Sequence, residues 1–407
     1  MTTALGANQA RIRSLDFLRG LAILGMLVAN IPWHAGDSMS RVIDPDAASV
    51  TAWIAQYLVF DQRFLPIFCM LFGAGALLLA SRPSAPQRFV PYFLIRMAIL
   101  LSVGVAHAYL LWPGDILITY AVCSPFLLLA LNWSVVRLLT AGVLLKSISL
   151  VIGEWPQLYE ATLERALFSW WVDYGDAPST IGEAYAGGYA ELFRYNAWRN
   201  QFIQWTALPY FRVWNALGFM LIGMALYKTG VLQGARSAGF YRRLLTFSLV
   251  LGLPLVIYGV VARVGVNPSV GPYLGFEKEL PLRSVTFLLG CAITCFAVLA
   301  GAHLFYKRFA GRVTEPVERV GRMALTNYLL HSVTFLLLFH WLKVLPFDAF
   351  DHDVLILLVV AAWLLQIALS WLWLARFRQG PVEALWRWLT AVFTRSLRDT
   401  SRRVPAQ

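Results

Sequence analysis

The residues best suited to chemistry are His107 and Asp115, on either side of a sharp turn between two apolar segments. The turn reads Trp112-Pro113-Gly114-Asp115 and leaves no room for a soluble loop. Ionisable side chains at membrane depth are costly and usually functional. Asp115 can orient the His107 imidazole, leaving the other ring nitrogen as a base or nucleophile. The alternative is that Asp115 only caps the next helix while His107 bonds to a neighbouring helix.

A second histidine, His34, follows the first apolar segment. We expect it on the same side of the membrane as His107, either as a further catalytic residue or as a lipid headgroup contact. Arg63, at the start of the second apolar segment, either holds a substrate carboxylate or oxyanion or extends its charge to the membrane surface. The residues predicted to contact substrate are Arg63, Asn30, Trp112, Tyr120 and Asn327.

Charged residues near the other ends of these segments are candidates for holding the phosphates of a nucleotide-like donor. Asp16 and Arg19 are three positions apart and can pair on one helix face. If Arg19 points inward, it can instead meet phosphate groups. Arg322 either binds phosphate or only marks a cytoplasmic loop. The predicted donor-binding residues are therefore Asp16, Arg19 and Arg322.

These residues belong to a chain with the composition of a polytopic membrane protein. Hydrophobic residues make up 59% of the 407 positions and charged residues 14%, whereas soluble proteins have about 25% charged residues. Apolar stretches of spanning length predict an all-α bundle of about ten transmembrane helices. The stretches are 15–32, 64–80, 89–112, 116–131, 135–152, 209–227, 244–261, 282–302, 324–341 and 354–374. Residues 50–60 form either an interfacial helix or the outer part of the second span.

The predicted organisation has four parts: a five-helix half at 1–152, an outer polar and aromatic segment at 153–203, a second five-helix half at 204–376, and an amphipathic tail at 377–407. Within the outer segment, 158–171 and 184–198 predict surface helices that either form a lid or rest on the membrane. Most of the 34 Lys and Arg residues fall in segments that are cytoplasmic if the N-terminus is inside. Both termini are therefore expected in the cytoplasm.

The net charge and the positions of the cysteines indicate which molecules the protein contacts. The formal net charge of +12 indicates contact with anionic lipid at the inner leaflet, not nucleic-acid binding. All four cysteines fall in apolar stretches and are expected to be packed thiols. We expect no metal and no permanently bound cofactor.

Several motifs carry a family resemblance. They are LDFLRGLAILG at 15–25 followed by Asn30, LFGAG at 71–75, His107 followed by LW at 111–112 and GDIL at 114–117, GRMALTNYLL at 321–330, and FRQGPVE at 377–383. In combination they resemble the bacterial YeiB family, catalogued as domain of unknown function 418. The resemblance implies a multi-pass protein of the bacterial inner membrane without a settled activity.

More remotely, the first helix is similar to that of the transmembrane acyltransferases, including heparan-α-glucosaminide N-acetyltransferase. Those enzymes take acetyl-CoA from the cytoplasm and acylate a sugar on the far side. Their catalytic histidine follows the first helix, which is nearest to His34 here, although the following loop is shorter in this chain. His107 matches the YeiB-like pattern and is the stronger candidate.

The function expected from the sequence is therefore transfer of an acyl group from cytoplasmic acyl-CoA to a hydroxyl or amine of an outer-facing glycan, lipid or small molecule. The alternative is a transporter or exporter that uses His107, Asp115 and Arg63 as a substrate or proton pathway. A non-catalytic scaffold is a third interpretation, and the oligomeric state is left open. A tunnel from Arg19 to His107 would support acyl transfer, whereas solid packing around His107 would argue against it.

Overall fold

The computed structural model describes residues 12–36, 47–81, 88–154, 178, 180–266 and 281–395. Within these ranges the chain is helical, with turns between helices and no strand. The helices are α1 (Arg13–Ala35), α2 (Ala47–Ala55), α3 (Phe64–Ala80), α4 (Phe89–Leu110), α5 (Leu117–Ala130), α6 (Val135–Glu154), α7 (Ile181–Ala186), α8 (Tyr189–Phe202), α9 (Val213–Lys228), α10 (Ala238–Val266), α11 (Pro281–Phe309), α12 (Glu315–Arg322), α13 (Ala324–Leu336), α14 (His352–Arg376) and α15 (Pro381–Phe393). Short π-helical turns extend α2, α8 and α13, at Gln56–Phe60, Ile203–Arg212 and Leu337–Trp341.

Seven helices of the described ranges are long and apolar enough to cross a membrane: Arg13–Ala35, Ala48–Ala80, Phe89–Leu110, Val135–Ile152, Ala238–Val261, Val285–Phe309 and His352–Arg376. An eighth span results if α12 and the α13 segment, which bend by 84° at their junction, are counted together. The predicted all-α, multi-pass architecture is confirmed at this level. Each of the ten predicted stretches is largely helical where described, but α5 has 14 residues and α9 has 16, below the usual spanning length of about 17.

The stretch at 50–60 continues into the second apolar helix. Its helix α2 and the π-helical turn after it lead through a short turn into α3, and the whole of Ala48–Ala80 meets the length and hydropathy of one membrane crossing. Of the two readings of this stretch, the structure matches the outer part of span two.

Helix α1 lies at the centre of the bundle and is buried along most of its length. It crosses α12 very closely, because a Cβ at Gly20 would meet the Val317 carbonyl oxygen and one at Gly321 would meet the Asp16 carbonyl oxygen. Arg13 Nε also pairs with Glu318 Oε2 at 2.7 Å. We call this end of the bundle the Asp16 end, and the opposite end, which holds the α4–α5 turn, the His107 end.

Part of the predicted outer segment is described. Residues 158–171 lie outside the described ranges, whereas 184–198 fall on α7 and α8, which a break at residues 187–188 separates. Helix α8 docks on the last turn of α4: Asn200 Nδ2 donates to Ala108 O at 2.8 Å and Asn196 Nδ2 donates to Tyr109 O at 3.3 Å. The chain then continues as helix through the π-helical turn into α9.

Helix α15 packs against the rest of the protein at the Asp16 end. Trp386 Nε1 donates to Arg96 O at 2.9 Å, and the Arg96 guanidinium stacks 3.6 Å from the centre of the Trp386 ring. Glu383 binds the start of α13. Leu385, Trp388 and Phe393 remain exposed on the other side, an apolar stripe suited to a membrane surface.

Candidate functional site

The α4–α5 turn fixes the position of Asp115. Helix α4 ends in a tight turn in which the amides of Leu111 and Trp112 both donate to His107 O, at 2.9 and 3.0 Å. Asp115 Oδ1 then accepts the Ile118 amide at 2.8 Å, which caps the start of α5. The capping alternative is thus part of the structure, but it occupies only one of the two carboxylate oxygens.

The second oxygen of Asp115 engages the histidine. Asp115 Oδ2 lies 2.7 Å from His107 Nδ1, and His107 Nε2 lies 2.9 Å from Ser332 Oγ on α13. Because the carboxylate only accepts when ionised, the network assigns the proton to Nδ1, and Ser332 then donates to Nε2. Ser332, His107 and Asp115 thus form a continuous hydroxyl–imidazole–carboxylate chain, the arrangement that activates a serine in acyl transfer.

Two further polar side chains hold the turn in place. The Tyr328 hydroxyl accepts the Ile116 amide at 3.2 Å and lies 3.4 Å from Asp115 Oδ2. Arg212, at the end of the π-helical turn before α9, donates to Asp115 O at 3.1 Å. Helices α5 and α13 and the π-helical turn before α9 therefore all help to position Asp115.

His34 is brought into the same cluster. Its ring lies 4.3 Å from the Trp112 ring and 5.4 Å from the Phe335 ring, measured between centroids. It is also within electrostatic range of His331 and His107. The structure thus unites three predicted residues, His107, Asp115 and His34, at one end of the bundle.

The cluster is closed in this structure. His107 and Ser332 are each 2% exposed and Asp115 is 3% exposed. A small cleft, with enclosed room for roughly one water molecule, reaches Asp115 and Arg212 but is not lined by His107. From the sequence, solid packing around His107 is expected to argue against acyl transfer. The packing observed here therefore counts against acyl transfer in this conformation.

The predicted substrate residues are spread over the bundle. Trp112 packs on His34, and Asn30 lies one helical turn before His34 on α1. Tyr120 contacts the Cys69 thiol at 3.3 Å between Oη and Sγ. Asn327 joins helices instead, because its Nδ2 donates to Val320 O at 3.1 Å and to Ser370 Oγ at 3.0 Å.

Arg63 is almost fully buried and binds main-chain oxygens. One of its guanidinium nitrogens, Nη1, donates to Tyr57 O at 2.9 Å and to Asp61 O at 2.6 Å. The side chain therefore turns back into the protein. Extension of its charge to the membrane surface, one of the two alternatives for Arg63, does not occur in this structure.

The predicted donor-binding residues are close together at the Asp16 end. Arg19 Nη1 donates to Asp16 Oδ1 at 3.0 Å, and the Arg19 side chain is partly exposed. Arg322 follows Gly321, which contacts the Asp16 backbone, and its Nη2 donates to Arg378 O at 3.0 Å. The cysteine prediction is confirmed, since all four are buried free thiols.

Sequence reasoning missed Ser332 and Arg212. Ser332 is 225 positions from His107, and a serine in an apolar helix has no local pattern that indicates such a partner. Arg212 did carry a signal, because a charge at the edge of a predicted span is a functional candidate in the same way as His107.

Comparison with known proteins places the chain among bacterial relatives of similar length. The family model "Protein of unknown function (DUF418)" matches residues 226–393. The chain is 32% identical to "Uncharacterized protein YeiB" of Escherichia coli (strain K12), with 93% of this chain and 95% of the relative covered. It is 29% identical to "Uncharacterized protein YxaH" of Bacillus subtilis (strain 168), with 93% of each chain covered. The chain therefore belongs to the YeiB family.

Proposed function

We propose that the protein is a transmembrane acyltransferase that moves an acyl group from cytoplasmic acyl-CoA to a hydroxyl or amine acceptor on the outer face. The observation that carries the proposal is the hydrogen-bonded chain from Ser332 through His107 to Asp115. The remote similarity of the first helix to transmembrane acyltransferases supports the same reaction class. Acyl-CoA is a co-substrate in this scheme, and no cofactor is held permanently.

The reaction has two halves. Ser332 Oγ attacks the thioester carbonyl while His107 Nε2 takes its proton, and the carbon–sulfur bond then breaks as His107 protonates the departing CoA thiolate. The acceptor next attacks the Ser332 ester, passes its proton to His107, and leaves with the acyl group while Ser332 is reprotonated. Asp115 holds the imidazole in the required tautomer and stabilises its charged form.

The donor approaches from the Asp16 end in this scheme. Arg19 and Arg322 meet the CoA phosphates there, since guanidinium groups suit phosphate oxygens, and Asp16 orients Arg19. From Ala324, beside Arg322, to Ser332, α13 rises about 12 Å. The part of acyl-CoA that carries the acyl group must reach this far along α13 from the phosphates to Ser332.

The membrane arrangement in the proposal is the one predicted from the sequence. The chain crosses the bacterial inner membrane ten times, with the Asp16 end and both termini in the cytoplasm and the His107 end outside. Helices α5 and α9 complete the count beside the seven longer spans and the bent pair. The exposed apolar side chains contact the lipid bilayer.

The closed packing around His107 opposes the proposal, so the mechanism requires an opening motion. His107 is on α4 and Ser332 is on α13, and the acyl group has to enter between these two helices. Binding of acyl-CoA must therefore favour an open form, as a ligand favours the conformation to which it binds better.

Acyl-CoA binding and turnover test the proposal. Detergent-purified protein is heated with acetyl-CoA, longer acyl-CoAs or free CoA, and release of CoA thiol is measured in parallel. We expect acyl-CoA to raise the melting temperature as its concentration exceeds the dissociation constant, and we expect His107→Ala to abolish thiol release at unchanged abundance. Absence of any response to acyl-CoA, or an equal loss of folded His107→Ala protein, would contradict the proposal.

A second candidate function is proton-coupled transport. The observation that favours it is the group of buried histidines, because His34 lies within electrostatic range of both His331 and His107. Such a group can pass protons across part of a bundle. Proton uptake into vesicles driven by a solute gradient, without thiol release from acyl-CoA, would support transport.

A further inference from the structure

Arg63 is a buried cation in an apolar part of the bundle. It is 2% exposed, and the described residues place no carboxylate within ion-pair distance of it. Its Nη1 binds two main-chain oxygens, whereas its Nη2 is buried without a hydrogen-bond partner. A buried guanidinium without a counter-ion among the described residues is costly, and an anion from outside the chain would offset that cost.

Gln56 is a second incomplete polar group on the same segment. It is 1% exposed, and neither its amide nitrogen nor its amide oxygen has a hydrogen-bond partner. It precedes Tyr57, whose carbonyl oxygen binds Arg63. Buried polar atoms in native proteins are nearly always paired, so two such groups seven residues apart, on either side of one turn, are consistent with a shared partner from outside the chain.

A second cation lies in the same region. Arg63 and Lys146 are both within electrostatic range of the Cys295 thiol on α11, and Lys146 Nζ donates to Asn215 Oδ1 at 2.7 Å. A guanidinium offers two donors in the geometry that an oxyanion accepts.

We propose that Arg63 and Gln56 form a binding site inside the bundle for the carboxylate or phosphate oxyanion of a small molecule or lipid. Arg63 Nη2 donates to one oxygen of the anion, the Gln56 amide donates to another, and Lys146 adds long-range attraction. Phe68, five residues after Arg63, stacks on Tyr120, five residues after Asp115. The site is therefore in the same half of the bundle as the His107 cluster. Anion binding here does not depend on acyl transfer.

The test is thermal unfolding of purified protein in a neutral detergent at constant ionic strength. Phosphate and acetate replace chloride in one series, and phosphatidylglycerol replaces phosphatidylcholine in another. We expect a concentration-dependent rise in melting temperature. A rise with the free anions identifies a small-molecule ligand, and a rise only with phosphatidylglycerol identifies a lipid headgroup.

Variants assign the effect to the site. Arg63→Lys keeps the positive charge but loses the paired N–H donors of the guanidinium. The apparent affinity for the anion should therefore fall at least about tenfold, the order expected from losing one charge-assisted hydrogen bond. Gln56→Leu should melt higher than wild type without ligand, because it removes a buried unpaired amide, yet respond less to the anion. The exposed Arg137→Lys is the matched control and should respond as wild type does.

The outcome separates this site from the proposed reaction. His107→Ala should keep the full anion response even where thiol release is lost. No oxyanion response in wild type, or equal responses in wild type, Arg63→Lys and Gln56→Leu, would overturn the site and leave Arg63 as a structural clamp on its two main-chain oxygens.

Discussion

At the scale of single residues, Asp115 has two tasks that one side chain can combine. One carboxylate oxygen caps α5 through the Ile118 amide, and the other orients His107. Because the two oxygens are used separately, the helix cap and the tautomer of the histidine can be changed independently.

Asp115→Asn separates these tasks. The asparagine side chain retains a carbonyl oxygen for the Ile118 amide, but it removes the charge that stabilises protonated His107. We expect thiol release from acyl-CoA to fall by at least about 100-fold, with the melting temperature within a few degrees of wild type. Asp353→Asn, at another helix start, is the control, and equal losses of turnover in both variants would contradict the role of Asp115.

The pairing of His107 with Asp115 could be predicted because the Trp-Pro-Gly-Asp turn brings the two residues together within one local stretch. Ser332 could not be predicted, because its contact with His107 depends on how α4 and α13 pack. For Asn327, the residue type suggested a substrate contact. Its hydrogen bonds to Val320 and Ser370 instead give it a structural role between helices.

At the scale of helices, the start of α13 is completed by a distant segment. Glu383 of α15 accepts the amides of Leu325 and Thr326, at 2.8 and 3.2 Å, and the Thr326 hydroxyl at 2.5 Å. A carboxylate at a helix start satisfies free amides and interacts well with the helix dipole. Since α13 also carries Ser332, α15 contributes to the position of the proposed nucleophile.

Loss of this cap should destabilise the protein. We expect Glu383→Ala to cost about 1–2 kcal/mol of unfolding free energy, measured by thermal or denaturant unfolding in detergent. Leu385→Ala, an exposed position on the same helix, should change it little. Similar stability of both variants would show that the cap is unimportant.

The contact between α3 and α9 offers a matched pair of glycines. A Cβ at Gly73 would meet the backbone of Met220, whereas a Cβ at Gly75 would meet nothing within 4 Å. Gly73→Ala should therefore cost about 1–3 kcal/mol through overpacking, while Gly75→Ala should be neutral or slightly stabilising. The melting temperatures of the two variants check this, and the reverse order would contradict the close crossing.

At the scale of the whole molecule, the apolar stretches predicted the helices because burial in lipid and burial in the bundle both select apolar residues. For the same reason, apolar composition does not fix the number of membrane spans. Helices α5 and α9 are apolar but short, and an apolar helix can be buried in the bundle without crossing the membrane. The 84° bend between α12 and α13 was also not predicted, since it depends on how α12 packs against α1 and α14.

Cysteine labelling tests the proposed orientation. The four native cysteines are buried and should not react with a membrane-impermeant maleimide. Ala190→Cys should be labelled from outside intact cells, and Val313→Cys only in inverted vesicles. Labelling of both positions from the same side would contradict the proposed topology.

The central claim is that Ser332, His107 and Asp115 are a reacting centre, and trapping of an acyl group on the protein tests it most directly. Purified protein is incubated with acyl-labelled CoA without acceptor, and peptides that contain Ser332 are examined by mass spectrometry. We predict an ester on Ser332 that is absent in Ser332→Ala and His107→Ala but present in Ser124→Ala, which removes another buried serine. A protein that folds, binds acyl-CoA and yet forms no ester, or forms it equally without Ser332, would contradict the account.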